Sequence, residues 1–289
     1  MGWLGRTLDR VAHWLLKWRI IRGPARWMAN SRYAWSIVSR TDRVRARRLQ
    51  TRVLRDSLPE HISIIMDGNR RYAANSGLAA TLGHRAGKEK LENVMDWVLE
   101  LEIPYLTVYA LSTENISNRK PKELDALFDL YVEGLNDLSV DERILKNKVK
   151  VKVAGRKDLL PERVLDAIIN AESVTAEHDK FVFTVCLAYG SREEIIDAVR
   201  TIAVDHAEGN LDLDSINESE ISKRLWTGDM PDPDLVIRTS GEERISNFLL
   251  WQSAYAEYYF TDVYWPSFSR TDLLEAIEAY QRRKRRYGK

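Results

Sequence analysis

The apolar positions of this chain change rhythm near Pro59. Beyond it, short apolar or β-branched runs recur at 62–66, 105–111, 149–154, 181–188 and 235–238, with a sixth near 258–260. Runs this short, rich in Ile, Val, Tyr and Phe, predict strands. Helix-period stretches fall between or after them at 85–101, 122–138, 161–177, 191–206 and 269–285. Ser191 with Glu194 fits a capping box, and Ser269 with Asp272 a looser version of one. Strand–helix alternation of this kind predicts an α/β fold, a mostly parallel central sheet of about six strands flanked by helices. Such sheets bind ligands beyond the carboxyl ends of their strands. Residues 67–71, 112–115 and 238–246 follow strand ends and are therefore expected to share one site.

The stretch before Pro59 reads differently. Leu4, Leu8, Val11, Leu15 and Trp18 recur every three or four residues, with Arg6, Arg10 and Lys17 opposite them. This suits an amphipathic helix lying in a membrane interface, ended by Gly23-Pro24. Docking on protein is the other reading of the same face. Charge separates this arm from the body more sharply still. The 289-residue chain has a net charge of only +1. Residues 1–58 carry 14 Lys/Arg against 3 Asp/Glu, which leaves 30 against 40 for residues 59–289. Five of the nine Trp also lie in the arm. The division expected is a basic, Trp-rich, membrane-associating extension at 1–58 and a folded domain at 59–289. The aromatics sit on a helical face and form no evident stacking platform, so nucleic acid is not the expected partner.

One cysteine, Cys186, excludes a disulfide framework or a Cys-based zinc site within the chain. No apolar run reaches the length of a membrane span, and the run near Val11 is too short and too basic for a signal peptide. The expected location is cytoplasmic, with peripheral membrane association.

Three segments carry chemistry. In HISIIMDGNRRYA, a strand runs into a helix through Gly68. The amides of Gly68, Asn69, Arg70 and Arg71 would open that helix, where an anion is favoured. Asp67 is the misfit, because a carboxylate repels an anion. Mg²⁺ shared with diphosphate oxygens resolves the conflict; a plain N-cap is the simpler alternative. In YALSTENISNRKP, Ser112, Asn115 and Arg119 can donate to phosphate, or merely cap a loop. In DLVIRTSGEERISNFLLWQSAYAEYYFTD, Arg238, Arg244 and Ser246 can grip a second diphosphate. Glu242 and Glu243 read as solvated. Glu257 lies in an aromatic run and needs a cation or an arginine. His84, in LGHRAG, suits a phosphate contact or a helix cap. There is no GxxxxGK[ST] P-loop and no DDxxD-type aspartate pair.

These motifs, in this order, closely resemble the cis-prenyltransferases, the undecaprenyl and dehydrodolichyl diphosphate synthase family. MDGNRRYA, LGHRAG, YALSTEN, the long 234–262 segment and the closing Arg286-Tyr287-Gly288 carry the resemblance. It implies condensation of isopentenyl diphosphate onto an allylic diphosphate, each new double bond cis. It implies that Asp67 holds Mg²⁺ with help from Glu257, and that Asp67 and Asn115 are catalytic. Gly68, Asn69, Arg70, Arg71, His84, Ser112 and Arg119 would serve the allylic diphosphate. Arg238, Arg244, Ser246, Arg286 and Gly288 would serve isopentenyl diphosphate, the tail reaching across a homodimer formed around 245–260. An apolar tunnel would run between the sheet and the helices at 85–101 and 122–138. Bacterial members commonly read MDGNGRW, whereas this chain has Arg70 and Tyr72, and Ala80 and Ile116 depart as well. These features resemble the archaeal and eukaryotic branch and leave geranylgeranyl and farnesyl diphosphate both open as primer.

Overall fold

The computed structural model describes residues 44–283. The chain divides into two units, Met1–Thr51 and Arg52–Lys289. In the first, residues 44–51 are helical. The amphipathic helix expected at 4–18 and the tail residues Arg286 and Gly288 lie outside the described residues.

The second unit is built on six parallel strands: β1 His61–Ile65, β2 Tyr105–Ser112, β3 Val149–Ala154, β4 Phe181–Tyr189, β5 Leu235–Arg238 and β6 Glu257–Phe260. Their order is β3-β4-β2-β1-β5-β6, every neighbouring pair parallel. Sequence pattern follows position in the sheet. Central β1 (HISII) and β5 (LVIR) are buried at every residue, as strands covered on both faces must be. Edge strand β3 (VKVKVA) alternates Val inward with half-buried Lys over its first four residues.

Nine helices accompany the strands among the described residues of this unit from His61 onward. They are α1 Asn69–Asn75, α2 Ala80–Glu100, α3 Thr113–Asn118, α4 Pro121–Val140, α5 Glu142–Lys146, α6 Glu162–Val174, α7 Ser191–Ala207, α8 Glu218–Ser222 and α9 Arg270–Arg282. The five long ones match the periodic stretches. Of the four short ones, α1 is the helix expected to open near Asn69, and α3, α5 and α8 carry too few turns to register as a period. None of the described helices is long and apolar enough to cross a membrane.

The caps divide the two sequence expectations. Ser269 and Asp272 do form a reciprocal capping box at α9. Ser191 and Glu194 do not. The N-cap of α7 is Gly190, and Ser191 Oγ accepts from the amide of Leu250 (2.9 Å). Glu194 is fully buried and accepts from Tyr189, from Gln252 Nε2 (2.9 Å) and from Thr227 Oγ1 (3.3 Å). Burial pushes its carboxyl above the ordinary value. Tertiary donors outcompeted the local cap.

Register aligns the strand ends that matter. Ile65 of β1 pairs with Tyr109 of β2 on one side and Arg238 of β5 on the other. Trp265 fixes the loop beyond β1: its amide donates to Asp67 O (3.1 Å), and its Nε1 donates to Gly87 O (2.8 Å) inside α2. Its ring is fully buried and stacked on Phe268 (5.6 Å between centroids). Trp265→Ala should therefore cost about 3–5 kcal/mol, the usual loss for a buried large aromatic. Urea unfolding checks this, and a loss under about 1 kcal/mol would refute the role given to the indole.

Candidate active site

The ends of β1 and β5 meet at Asp67. Gly68 turns the chain with φ of 104°, and a Cβ there would stand 2.9 Å from the Tyr264 ring and 3.0 Å from Ser240. Only glycine fits both the backbone and the space. The turn leaves the Asp67 carboxylate between two guanidiniums. Arg238 Nη2 donates to Oδ2 (2.9 Å), and Arg71 Nη2 lies 3.3 Å from Oδ1. Arg238 is 4% exposed, so Asp67 is the counter-charge that makes its burial tolerable. The same guanidinium donates through Nη1 to Ser246 Oγ (2.7 Å) and to the carbonyl of Arg244. Arg71 pairs onward with Glu242 (2.8 Å), and Glu242 also receives Arg244. Hydrogen bonds from Arg244, then Arg71, hold the Glu242 carboxyl below its ordinary range. Glu242, read from sequence as solvated, links Arg71 to Arg244 within this cluster.

A second cluster faces the first across a polar pocket lined by Asp67, Gly68, Asn69, Arg70, Arg71, His84 and Arg119. Arg119 donates to Glu123 (2.7 Å) and lies 3.3 Å from His84 Nε2. Glu123 also neighbours Arg70 (3.6 Å). Glu123 was not singled out in the sequence, although its i,i+4 spacing from Arg119 was a usable signal. Burial first, then the Arg119 charge, lower His84 to about 4, so it is neutral at physiological pH. The buried Nε of Arg119 and Oδ1 of Asn69 have no partner among the described residues. Ser112 Oγ accepts from the Asn115 amide (3.1 Å), the capping arrangement that was the simpler reading of that segment.

Behind the polar pocket lies an apolar cleft of about 140 Å³. Met66, Asn69 and His84 line both. Its walls are α2 (Leu91, Met95, Leu99), α4 (Leu127, Leu130, Leu135) and the β4 residues Phe183 and Val185. This is the space expected between the sheet and these two helices.

Glu257 is not brought to this site within the chain. It opens β6 in register with Leu235, three residues and about 10 Å of strand before the carboxyl edge where Asp67 stands. Arg283 Nη1 neutralises it at 2.7 Å. An arginine is its partner within the chain. Among the described residues, no group of three or more His, Cys, Asp or Glu side chains converges to hold a metal.

Fold and site together define an α/β protein in which an arginine-lined polar pocket adjoins an apolar cleft. Residues 65–288 match the family model for putative undecaprenyl diphosphate synthase. The chain belongs to this family, the cis-prenyltransferases, and is a prenyltransferase. It is 54% identical over 241 residues to the tritrans,polycis-undecaprenyl-diphosphate synthase (geranylgeranyl-diphosphate specific) of Methanopyrus kandleri, covering 83% of this chain and 89% of the relative. The protein of the same description from Thermoplasma volcanium is 51% identical, over 80% and 89% of the two chains. The archaeal branch suggested by Arg70 and Tyr72 agrees with these relatives. Among solved structures, lavandulyl diphosphate synthase from Lavandula x intermedia, in complex with dimethylallyl diphosphate, superposes with a TM-score of 0.76 at 35% identity. It covers 80% of this chain and 99% of that one. A probable undecaprenyl diphosphate synthase from Campylobacter jejuni gives 0.66 at 30% identity, over 81% and 100%.

The buried histidines set a pH dependence. His61, bonded to Thr107 Oγ1 (2.8 Å) and Pro231 O (2.7 Å), is lowered by burial to about 4, as is His84. Between the ordinary value of 6.5 and about 4, the unfolded chain binds protons that the native state refuses. Stability from these groups is therefore complete above pH 6.5 and falls as pH drops through that window. Urea unfolding at pH 7 and pH 5 should show the loss, and His61→Gln with His84→Gln should flatten it. An equal loss in the double variant would refute the assignment.

Proposed function

We propose that the protein condenses isopentenyl diphosphate with an allylic diphosphate primer to make a long-chain cis-polyprenyl diphosphate, precursor of a glycosyl carrier lipid. One observation carries the reading. Asp67, gripped by Arg71 and Arg238, borders a polar pocket that opens into an apolar cleft. A diphosphate head and a prenyl tail need those two environments side by side. The primer we favour is geranylgeranyl diphosphate over farnesyl diphosphate, because the archaeal relatives are described as specific for it.

In this reading the allylic diphosphate lies against Gly68, Asn69, Arg70 and Arg71, beside Arg119. Neutral His84 can donate one hydrogen bond there without adding charge. Arg238, Arg244 and Ser246 hold isopentenyl diphosphate, and Asn115 on α3 orients the pair. The arginines stabilise the charge that gathers on the departing diphosphate. The isopentenyl alkene attacks the allylic carbon as its C–O bond breaks, and a proton leaves the new cation. A diphosphate oxygen accepts that proton, since no side chain in the site is an evident base. The growing chain extends into the cleft.

Mg²⁺ fits the donors present. Asp67 is a hard oxygen ligand with lone pairs beyond its two arginine contacts. Mg²⁺ is commonly held by one or two carboxylates plus substrate phosphates and water, so a cage of protein ligands is not needed. Bound there, it would offset diphosphate charge. The reading also includes a homodimer, the tail residues Arg286 and Gly288 serving the isopentenyl site, and peripheral contact of residues 1–58 with an anionic membrane surface.

Incorporation of labelled isopentenyl diphosphate, with geranylgeranyl and farnesyl diphosphate compared and product length read, tests the function. No incorporation with either primer and Mg²⁺ would overturn it. Asp67→Asn keeps the shape beside Arg238 and should lower kcat by about a thousandfold, the scale of several kcal/mol of lost charge stabilisation. Near-normal turnover in that variant would remove Asp67 from the mechanism. Deleting residues 1–58 should weaken binding to anionic liposomes more than it weakens turnover, and equal liposome binding would return the arm to protein docking.

A further inference from the structure

The segment that carries Arg244 and Ser246 is held in a backbone it would not adopt alone. Ser246, Asn247 and Leu249 have φ of 54°, 61° and 46°. This left-handed region disfavours L residues, and several in one short segment mean that surrounding contacts impose the shape. Asn247 is where those contacts converge. Its carbonyl accepts from the amide of Ser191 (2.9 Å), and its Oδ1 accepts from the amide of Arg192 (2.9 Å). These are the first two amides of α7, whose own N-cap, Gly190, has no side chain to offer. Asn247 is thus the cap of a helix that begins 56 residues earlier in the chain.

Its Nδ2 points the other way in the network. It donates to Glu114 Oε1 (3.1 Å) on α3 and to Glu193 Oε2 (3.2 Å) on α7. Glu193 in turn accepts from Thr113 Oγ1 (3.1 Å), the first residue of α3. A Cβ on Gly190 would stand 2.8 Å from Nδ2 and 2.2 Å from Glu193 Oε2, so the junction has no slack. On the buried side, Tyr109 donates to Ser246 O (3.3 Å) and stacks on Phe248 (4.6 Å). Asparagine is suited to the task on three counts. It tolerates the left-handed region, and it offers both an acceptor and a donor, each of which is used.

Next to Asn247 in the chain is Ser246, whose Oγ takes the hydrogen bond from Arg238 Nη1. We propose that Asn247 is a positioning residue for isopentenyl diphosphate: by capping α7 and bonding Glu114 and Glu193, it fixes Ser246 and the Arg244 backbone around Arg238 and couples that site to α3. This rests on the function proposed above, which assigns isopentenyl diphosphate to Arg238, Arg244 and Ser246.

Asp at this position keeps both caps but loses the donor, and sets a third carboxylate against Glu114 and Glu193. Direct titration with isopentenyl diphosphate reads the site without turnover. Asn247→Asp should raise Kd, and KM in the elongation assay, by about tenfold, as expected when a charge-assisted hydrogen bond becomes a repulsion. kcat should change by less than about threefold, because no reacting atom is touched. Adding Glu193→Gln restores a donor–acceptor pair and should bring Kd back within about threefold of wild type. A general loss of structure would not be rescued this way. Asn247→Gly keeps the left-handed turn without the side chain and should weaken binding by about fivefold. A wild-type Kd in folded Asn247→Asp or Asn247→Gly, or a loss that Glu193→Gln does not relieve, overturns the proposal. Wild-type protein that binds isopentenyl diphosphate but never elongates would overturn the synthase reading alone. Wild-type protein that does not bind it overturns both.

Discussion

A buried guanidinium sets the terms for this protein. Arg238 ends a strand that is covered on both faces, and only 4% of its side chain reaches solvent. An isolated charge there would be prohibitive, so the fold must bring it a carboxylate and further acceptors. Parallel register supplies the carboxylate by aligning Arg238 with Ile65, two residues before Asp67. The strained segment after β5 supplies the rest, through Ser246 Oγ and the Arg244 carbonyl. The turn at Gly68, the anchoring of Trp265 and the left-handed residues beyond Gly241 all serve this arrangement. The result is a site in which arginines outnumber the carboxylates that pair with them.

That pairing bears on how diphosphates would bind under the proposed function. Arg71 and Arg244 share Glu242, while Arg70, Arg119 and His84 gather around Glu123. Two glutamates thus hold the arginines apart and pre-oriented. Exposed pairs of this kind contribute little to stability. Arg71 and Arg244 stand 43% and 62% exposed, so under the proposed function exchanging Glu242 for a diphosphate oxygen would cost little and gain a bidentate partner. Arg119 is more enclosed and retains an unpartnered Nε, which marks the inner side of the pocket.

What could be read from the sequence, and what could not, divides along a physical line. The strands and long helices were legible because burial imposes a period, and all six strand runs appear close to their expected positions. Asp67, Arg71, Arg238 and Ser246 were legible as one site because they follow strand ends, and parallel topology gathers those ends. Glu257 was legible as a carboxylate in need of a cation or an arginine, and Arg283 pairs with it within the chain. Its place relative to Asp67 was not legible, because sequence alone does not tell which end of β6 it occupies. Ser191 and Glu194 carried the right spacing for a cap. Tertiary donors outcompeted it: Leu250 took the serine, while Tyr189, Thr227 and Gln252 took the glutamate. Asn247 escaped notice, and Glu242 was read as solvated, because Arg192, Glu114 and Arg71 lie far from them in the chain.

The same line explains why the cleft was the safer expectation and the arginine network the harder one. Apolar contacts are additive and forgiving, so α2, α4 and the sheet enclose the cleft wherever their stripes face one another. Hydrogen-bonded charges are exclusive: each donor given to one acceptor is withheld from another. Arg238 can serve Asp67, Ser246 and the Arg244 carbonyl together only if the loop beyond β5 takes a conformation that its own residues resist. The resistance is overcome from outside, by the amides at the start of α7 and the glutamates beside them. Arginines held at fixed positions thus depend on the caps and turns of helices that lie far from them in the chain.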